Sequence, residues 1–136
     1  MIYRTLFIVL FISFSGLSQE NDSLGNVLNS AYKNATLDSV KIKAILQLSE
    51  YQLDRDFSEA KQLVNSAFLL LEKPENHRLK SEKALAYSVQ GIIDRRKGNY
   101  VSSIENYMKS KTIYESLNDS INLSSLLKKQ LSLKVI

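Results

Sequence analysis

There is no cysteine in this chain, so disulfide staples, thiolate nucleophiles and zinc-thiolate sites are excluded together. Tryptophan is also absent, and the one histidine, His77, has only Glu75 near it. That falls short of the ligand set a metal ion needs, and His77 reads as an exposed loop residue. Helix breakers are few: one proline, Pro74, and four glycines, Gly16, Gly25, Gly91 and Gly98. Helix is therefore favoured almost everywhere. Neither sign of charge forms a block. The 18 basic and 14 acidic residues are interspersed and leave a net charge of +4, which is a solvated surface and not a nucleic-acid footprint. Gly-rich phosphate loops and the Gly-x-Ser-x-Gly elbow are missing. The neighbouring carboxylates Asp54 and Asp56, or Glu72 and Glu75, lack a second positioned group and read as caps and surface charges. No catalytic, cofactor-binding or metal-ligating set emerges, and the chain reads as a non-enzyme that needs no cofactor.

What is present begins with an apolar run, Leu6 to Phe14, broken only by Ser13 and preceded by Arg4. With Gly16-Leu17-Ser18 following, residues 1–18 have the layout of a secretory signal peptide cut before Gln19. The run is shorter than the roughly 20 apolar residues a spanning helix needs, so no stable membrane insertion is expected once it is removed. The expected destination is the periplasm or the medium. Residues 19–136 form one domain's worth of chain, large enough for one modest core.

The punctuation of that domain predicts six helices. The first runs from Ser23 to Lys33, and a second starts at Asp38 as cap, with Val40, Ile42, Ile45, Leu46, Leu48, Tyr51 and Leu53 as its apolar stripe, and ends at Arg55. Asp56 and Glu59 have the spacing of a capping box and open a third, carrying Phe57, Ala60, Leu63, Val64, Ala67, Phe68 and Leu71, which Pro74 closes. The fourth spans Lys80 to Lys97, with Leu79, Ala84, Leu85, Ile92 and Ile93 toward the core. Gly98-Asn99 ends it and caps a fifth that holds Tyr100, Ile104, Tyr107, Met108, Ile113, Tyr114 and Leu117. Asn118-Asp119 separates the sixth, which begins near Ser120.

Two of these stretches repeat. Asp56-Phe57-Ser58-Glu59-Ala60 aligns with Asn99-Tyr100-Val101-Ser102-Ser103 at a spacing of 43 residues. With Gly91 as anchor, Tyr87 takes a bulky position, Ser103 and Ser110 small ones and Tyr107 an aromatic one, while the other pair offers Tyr51, Ala60 and Ala67. On these residues the pairs 41–73 and 84–117 resemble tetratricopeptide repeats, with 120–136 resembling an incomplete third. Departures are Gln90, Asp94 and Glu115 in one pair and Leu48 and Val64 in the other. The spacing exceeds the usual length of about 34 and resembles the exported front end of bacterial sensor proteins of the histidine-kinase type.

That resemblance implies an all-α fold of antiparallel helix-turn-helix pairs stacked as a short right-handed solenoid. It also implies a protein or peptide partner in a concave groove. The repeat phase puts Ser49 and Gln52 of one pair, and Ser88, Ile92, Arg95 and Arg96 of the next, toward that groove, where the arginines can meet a carboxylate. Self-association is the competing reading, since Leu123, Leu126, Leu127, Leu131, Leu133, Val135 and Ile136 form an apolar C-terminal stripe. A small-ligand-binding helical bundle is a third.

Overall fold

Helices start and stop where the chain chemistry changes. The computed structural model describes residues 23–131. Within them lie α1 (Ser23–Asn34), α2 (Asp38–Gln52), α3 (Phe57–Leu71), α4 (Lys80–Arg96), α5 (Tyr100–Ser116) and α6 (Ser120–Leu131). No strand occurs among the described residues. The expected signal segment, 1–18, lies outside them, as do residues 132–136 of the expected third repeat. Pro74 does more than close α3: it opens a short 3-10 turn, Pro74–Asn76, where a missing N–H costs nothing.

Two aspartates cap as their spacing suggests. Asp56 accepts a hydrogen bond from the Glu59 amide at 3.0 Å, and Asp119 accepts one from the Asn122 amide at 3.1 Å. The Asn122 side chain also donates to Asp119 and, with that amide, holds its carboxyl below the ordinary carboxylate range. One other expected cap is corrected. Leu37 holds the cap position of α2, and Asp38 instead accepts from Asn76 Nδ2 at 2.8 Å and faces Lys73 at 3.6 Å. Its carboxylate thus ties the start of α2 to the end of α3. Asn99 does hold the cap position of α5, but without a side-chain capping bond.

The ends of α4 and α5 share one device. Gly98 and Asn118 take positive φ values of 81° and 52°. The residue after each donates its amide back to a carbonyl in the last turn, Asn99 to Asp94 and Asp119 to Tyr114. This satisfies carbonyls that would otherwise be orphaned at the helix end.

The hairpins are antiparallel because contacts run in opposite directions along the chain. In the first, Asp38 meets Asn76 while Ser49 Oγ donates to the Ala60 carbonyl at 2.7 Å. In the second, Lys109 lies over the Tyr87 ring while Ser103 Oγ donates to the Gly91 carbonyl at 2.7 Å. Helix α1 packs on α2, α6 on α5, and α2 also lies against α4. One core cluster joins Ile42, Ile45, Leu46, Val64, Val89 and Ile93, and a second joins Ala84, Tyr107, Tyr114 and Leu126.

Small side chains set both crossings. Ala60 and Ala67 are fully buried, and Ser103 and Ser110 are nearly or fully buried at the equivalent places in α5. A Cβ on Gly91 would stand 3.1 Å from Cδ1, Cε1 and Cζ of the Tyr107 ring, so glycine lets that ring lie against α4 without the small displacement a side chain would impose. Ala60→Leu or Ala67→Leu is therefore expected to destabilise the fold by about 1–3 kcal/mol through overpacking. Urea melts of these variants beside Lys61→Ala check this. Equal midpoints for all three would mean that the crossing tolerates a large side chain.

Several expected core positions of α5 are corrected. Tyr100, Ile104, Met108 and Leu117 are exposed, as is Val40 on α2. The face of α5 that meets α4 carries Ser103, Tyr107, Ser110 and Tyr114 instead. The C-terminal stripe is divided: Leu126 is buried in the second core, whereas Leu127 is exposed, and Leu133, Val135 and Ile136 lie outside the described residues.

Candidate functional site

The side chains expected to face a partner separate by burial. Ser88 and Ser49 are buried, Ser49 spending its hydroxyl on the Ala60 carbonyl, so neither offers surface to a partner. Both were expected at the groove, and their burial corrects that expectation. Gln52 and Arg95 are half-buried, and Ile92 is half-buried against both core clusters.

Arg96 is engaged inside the molecule. Its guanidinium donates to the Leu53 carbonyl at 3.0 Å and to Asp54 at 2.6 Å, joining the C-terminal end of α4 to the turn after α2. It is therefore a tie between helix pairs and not an open carboxylate receptor. A charge-assisted bond of this geometry is stronger than a neutral one, although exposure of Asp54 leaves it screened by solvent.

Two further ion pairs that the sequence did not reveal tie α2 to α4 and to α6. Lys43 of α2 meets the buried Glu82 of α4 at 3.4 Å. Lys129 of α6 meets Glu50 of α2 at 2.8 Å, which draws the sixth helix back toward the second. Glu50 and Lys129 are 79 residues apart, and no local pattern predicts their meeting.

Behind these charges lie two tyrosines. Burial pushes the Tyr107 hydroxyl above its ordinary range, with Arg95 pulling it back and Glu50 adding to the rise. Tyr114 is pushed up to about 12, by burial first and then by the negative charges of Asp119, Glu50 and Glu82. The neutral phenols belong to the folded state. The unfolded chain loses these protons near pH 10, so stability is complete below that and falls as pH rises toward about 12. Absorbance of tyrosinate during alkaline titration should show late-ionising tyrosines, and Tyr114→Phe should flatten the loss of stability in that window. A wild-type and a variant that unfold with the same alkaline profile would contradict this.

The remaining candidate groups have structural surroundings. His77 is exposed with Nδ1 3.0 Å from the Pro74 carbonyl. Among the described residues no group of three His, Cys, Asp or Glu stands close enough to hold a metal ion. Asp54 pairs with Arg96 and Asp56 caps α3. No helix of the described residues is long and apolar enough to cross a membrane. Of the residues expected to face a partner, Gln52, Ile92 and Arg95 stay half-open. No protein-family model, no curated protein and no solved structure matches this chain.

Proposed function

We propose that the chain is a non-enzymatic protein–protein interaction scaffold in which α2–α3 and α4–α5 are successive tetratricopeptide-like repeats of a short right-handed solenoid. The observation that carries this is the Arg96 tie. Arg96 stands 43 residues from Leu53, the spacing by which the two pairs align, and it bonds the carbonyl of that same Leu53. Equivalent positions of neighbouring units thus touch, as stacking of like units requires. Ala60 and Ser103, themselves 43 residues apart, each take part in the serine-to-carbonyl bond of their own crossing.

Gln52, Ile92 and Arg95 are the partner-facing residues of this reading, with Arg95 as the cation for an acidic partner group. The protein would act after export, as the docking or sensory front part of an envelope signalling protein. A photo-crosslinking residue placed at Gln52 or Ile92 of the full chain, in cells of its source, tests the reading. Both positions should yield the same discrete adduct with one protein, and a probe at Ser58 on α3 should not. Adducts that are absent at Gln52 and Ile92, or identical at Ser58, would defeat it.

A further inference from the structure

A second binding surface stands apart from those residues. Between α4 and α5 lies an open groove of about 370 Å³, lined by Lys83, Tyr87, Met108, Lys109, Thr112 and Ile113. Its floor is apolar for stated reasons. Thr112 turns its hydroxyl onto the Met108 carbonyl at 3.0 Å, leaving little but carbon to face outward. Tyr87 is braced from behind by Phe68, with ring centroids 5.4 Å apart. Met108 is 60% exposed, and Ile104 and Tyr100 continue the apolar stripe along α5 at 55% and 65% exposure.

The rim is cationic. Lys109 holds its ammonium 5.4 Å above the Tyr87 ring, and Lys83 is exposed on the opposite wall. No carboxylate lines the groove. Glu82, next to Lys83 in sequence, is buried and turned away to Lys43. Two lysines from two helices therefore face one apolar trough with no internal anion between them.

A counterpart groove in the first helix pair, of about 260 Å³, shows what distinguishes this one. There Ser66, Leu69 and Leu70 stand where Lys109, Thr112 and Ile113 stand 43 residues later, and the wall is completed by Tyr32 from the amphipathic helix α1. By the same spacing Val40 corresponds to Lys83. The first groove carries two lysines as well, but Lys41 lies 5.6 Å above the Tyr32 ring and Lys73 stands 3.6 Å from Asp38, so its cations are engaged within the chain, whereas no carboxylate lines the second groove. A helix of the chain itself supplies an aromatic side chain to the first groove, which is an internal precedent for a helical occupant.

We infer that the α4–α5 groove docks an acidic amphipathic helical segment of another protein, seating one large apolar side chain over Tyr87 and Met108 and placing carboxylates on Lys83 and Lys109. The volume suits a large side chain or two. An anionic membrane is disfavoured as occupant because attraction to it takes clusters of about four to eight basic residues, and two stand here. The helix-in-groove mode needs only an apolar anchor and matching rim charges.

Fluorescence anisotropy tests this with the full chain and a labelled helical peptide bearing leucine flanked one turn away on each side by glutamate. Binding should weaken as salt rises. It should fall at least about tenfold for the protein variant Lys83→Glu with Lys109→Glu, and for the peptide with glutamine in place of glutamate. Met108→Glu should weaken it similarly, since a charge would enter the apolar floor. Arg95→Glu should leave it unchanged, which separates this surface from the partner-facing residues of the scaffold. Helical circular dichroism checks that each variant folds, as the exposure of Lys83, Lys109 and Met108 leads one to expect. No binding of the peptide overturns the inference. So does equal binding by the charge-reversed variant, equal binding of the glutamine peptide, or binding to anionic phosphatidylserine vesicles without binding to the peptide.

Discussion

Tyr107→Ala is expected to remove about 3–5 kcal/mol of stability. Tyr107 is fully buried, and its ring fills the space that Gly91 leaves open on α4. Deleting the ring would strip the α4–α5 hairpin of its central contact and leave a cavity between two helices that Ser103 and Gly91 hold close. Tyr107→Phe should behave differently. The Tyr107 hydroxyl is buried without a hydrogen-bond partner in the protein, so its removal should be neutral or stabilising within about 1 kcal/mol. Urea unfolding followed by circular dichroism measures both. A phenylalanine variant as unstable as the alanine variant would show that the hydroxyl, and not the ring, holds the hairpin.

Leu126→Ala should cost about 2–5 kcal/mol, which reverses what the C-terminal sequence suggests. Read as part of an apolar stripe, Leu126 would be a surface residue whose loss improves solubility. In the fold it is 1% exposed and packs with Ala84, Tyr107 and Tyr114. The sixth helix is therefore part of the second core, and the Lys129 to Glu50 ion pair helps to bring it there. Thermal melting with the wild type alongside decides the matter. An unchanged midpoint accompanied by loss of self-association would return Leu126 to the surface and would place α6 elsewhere.

The helices themselves were legible because their ends are written in side chains. Asp56, Gly98, Asn118 and Asp119 each terminate or start an element through a backbone bond that only such residues make readily. The buried face of α5 was harder to read. Two sets share helical spacing there, Tyr100 with Ile104 and Met108, and Ser103 with Tyr107, Ser110 and Tyr114. Hydrophobicity favours the first set, yet the second is buried, because a close crossing selects small residues opposite a large ring. Ser103, Tyr107 and Ser110 are the small and aromatic positions on which the repeat resemblance rests, and all three are buried, while Tyr114 was legible from its apolar spacing. The same resemblance placed Ser49 and Ser88 at a surface, and their size instead suited them to the interior.

The inter-helix charges were not legible at all. Arg96 reads as a dipole-stabilising cation at a helix end, and nothing local says that it will reach Leu53 and Asp54. Lys43 with Glu82, and Glu50 with Lys129, meet only because helices distant in sequence stack. Such pairs depend on tertiary placement, which periodicity does not encode.

The central claim is that two hairpins are built on one register, with Gly91 and Tyr107 marking the crossing of the second. Proton NMR of the folded chain tests it at that contact. Because the open side of Gly91 faces three contiguous atoms of the Tyr107 ring, one Gly91 α-proton should be shifted strongly upfield by the ring current and show nuclear Overhauser contacts to the ring protons. The upfield shift should vanish in Tyr107→Ala and persist in Tyr107→Phe. A Gly91 signal at its ordinary position with no contact to Tyr107 would contradict the register, and with it the stacked-repeat scaffold.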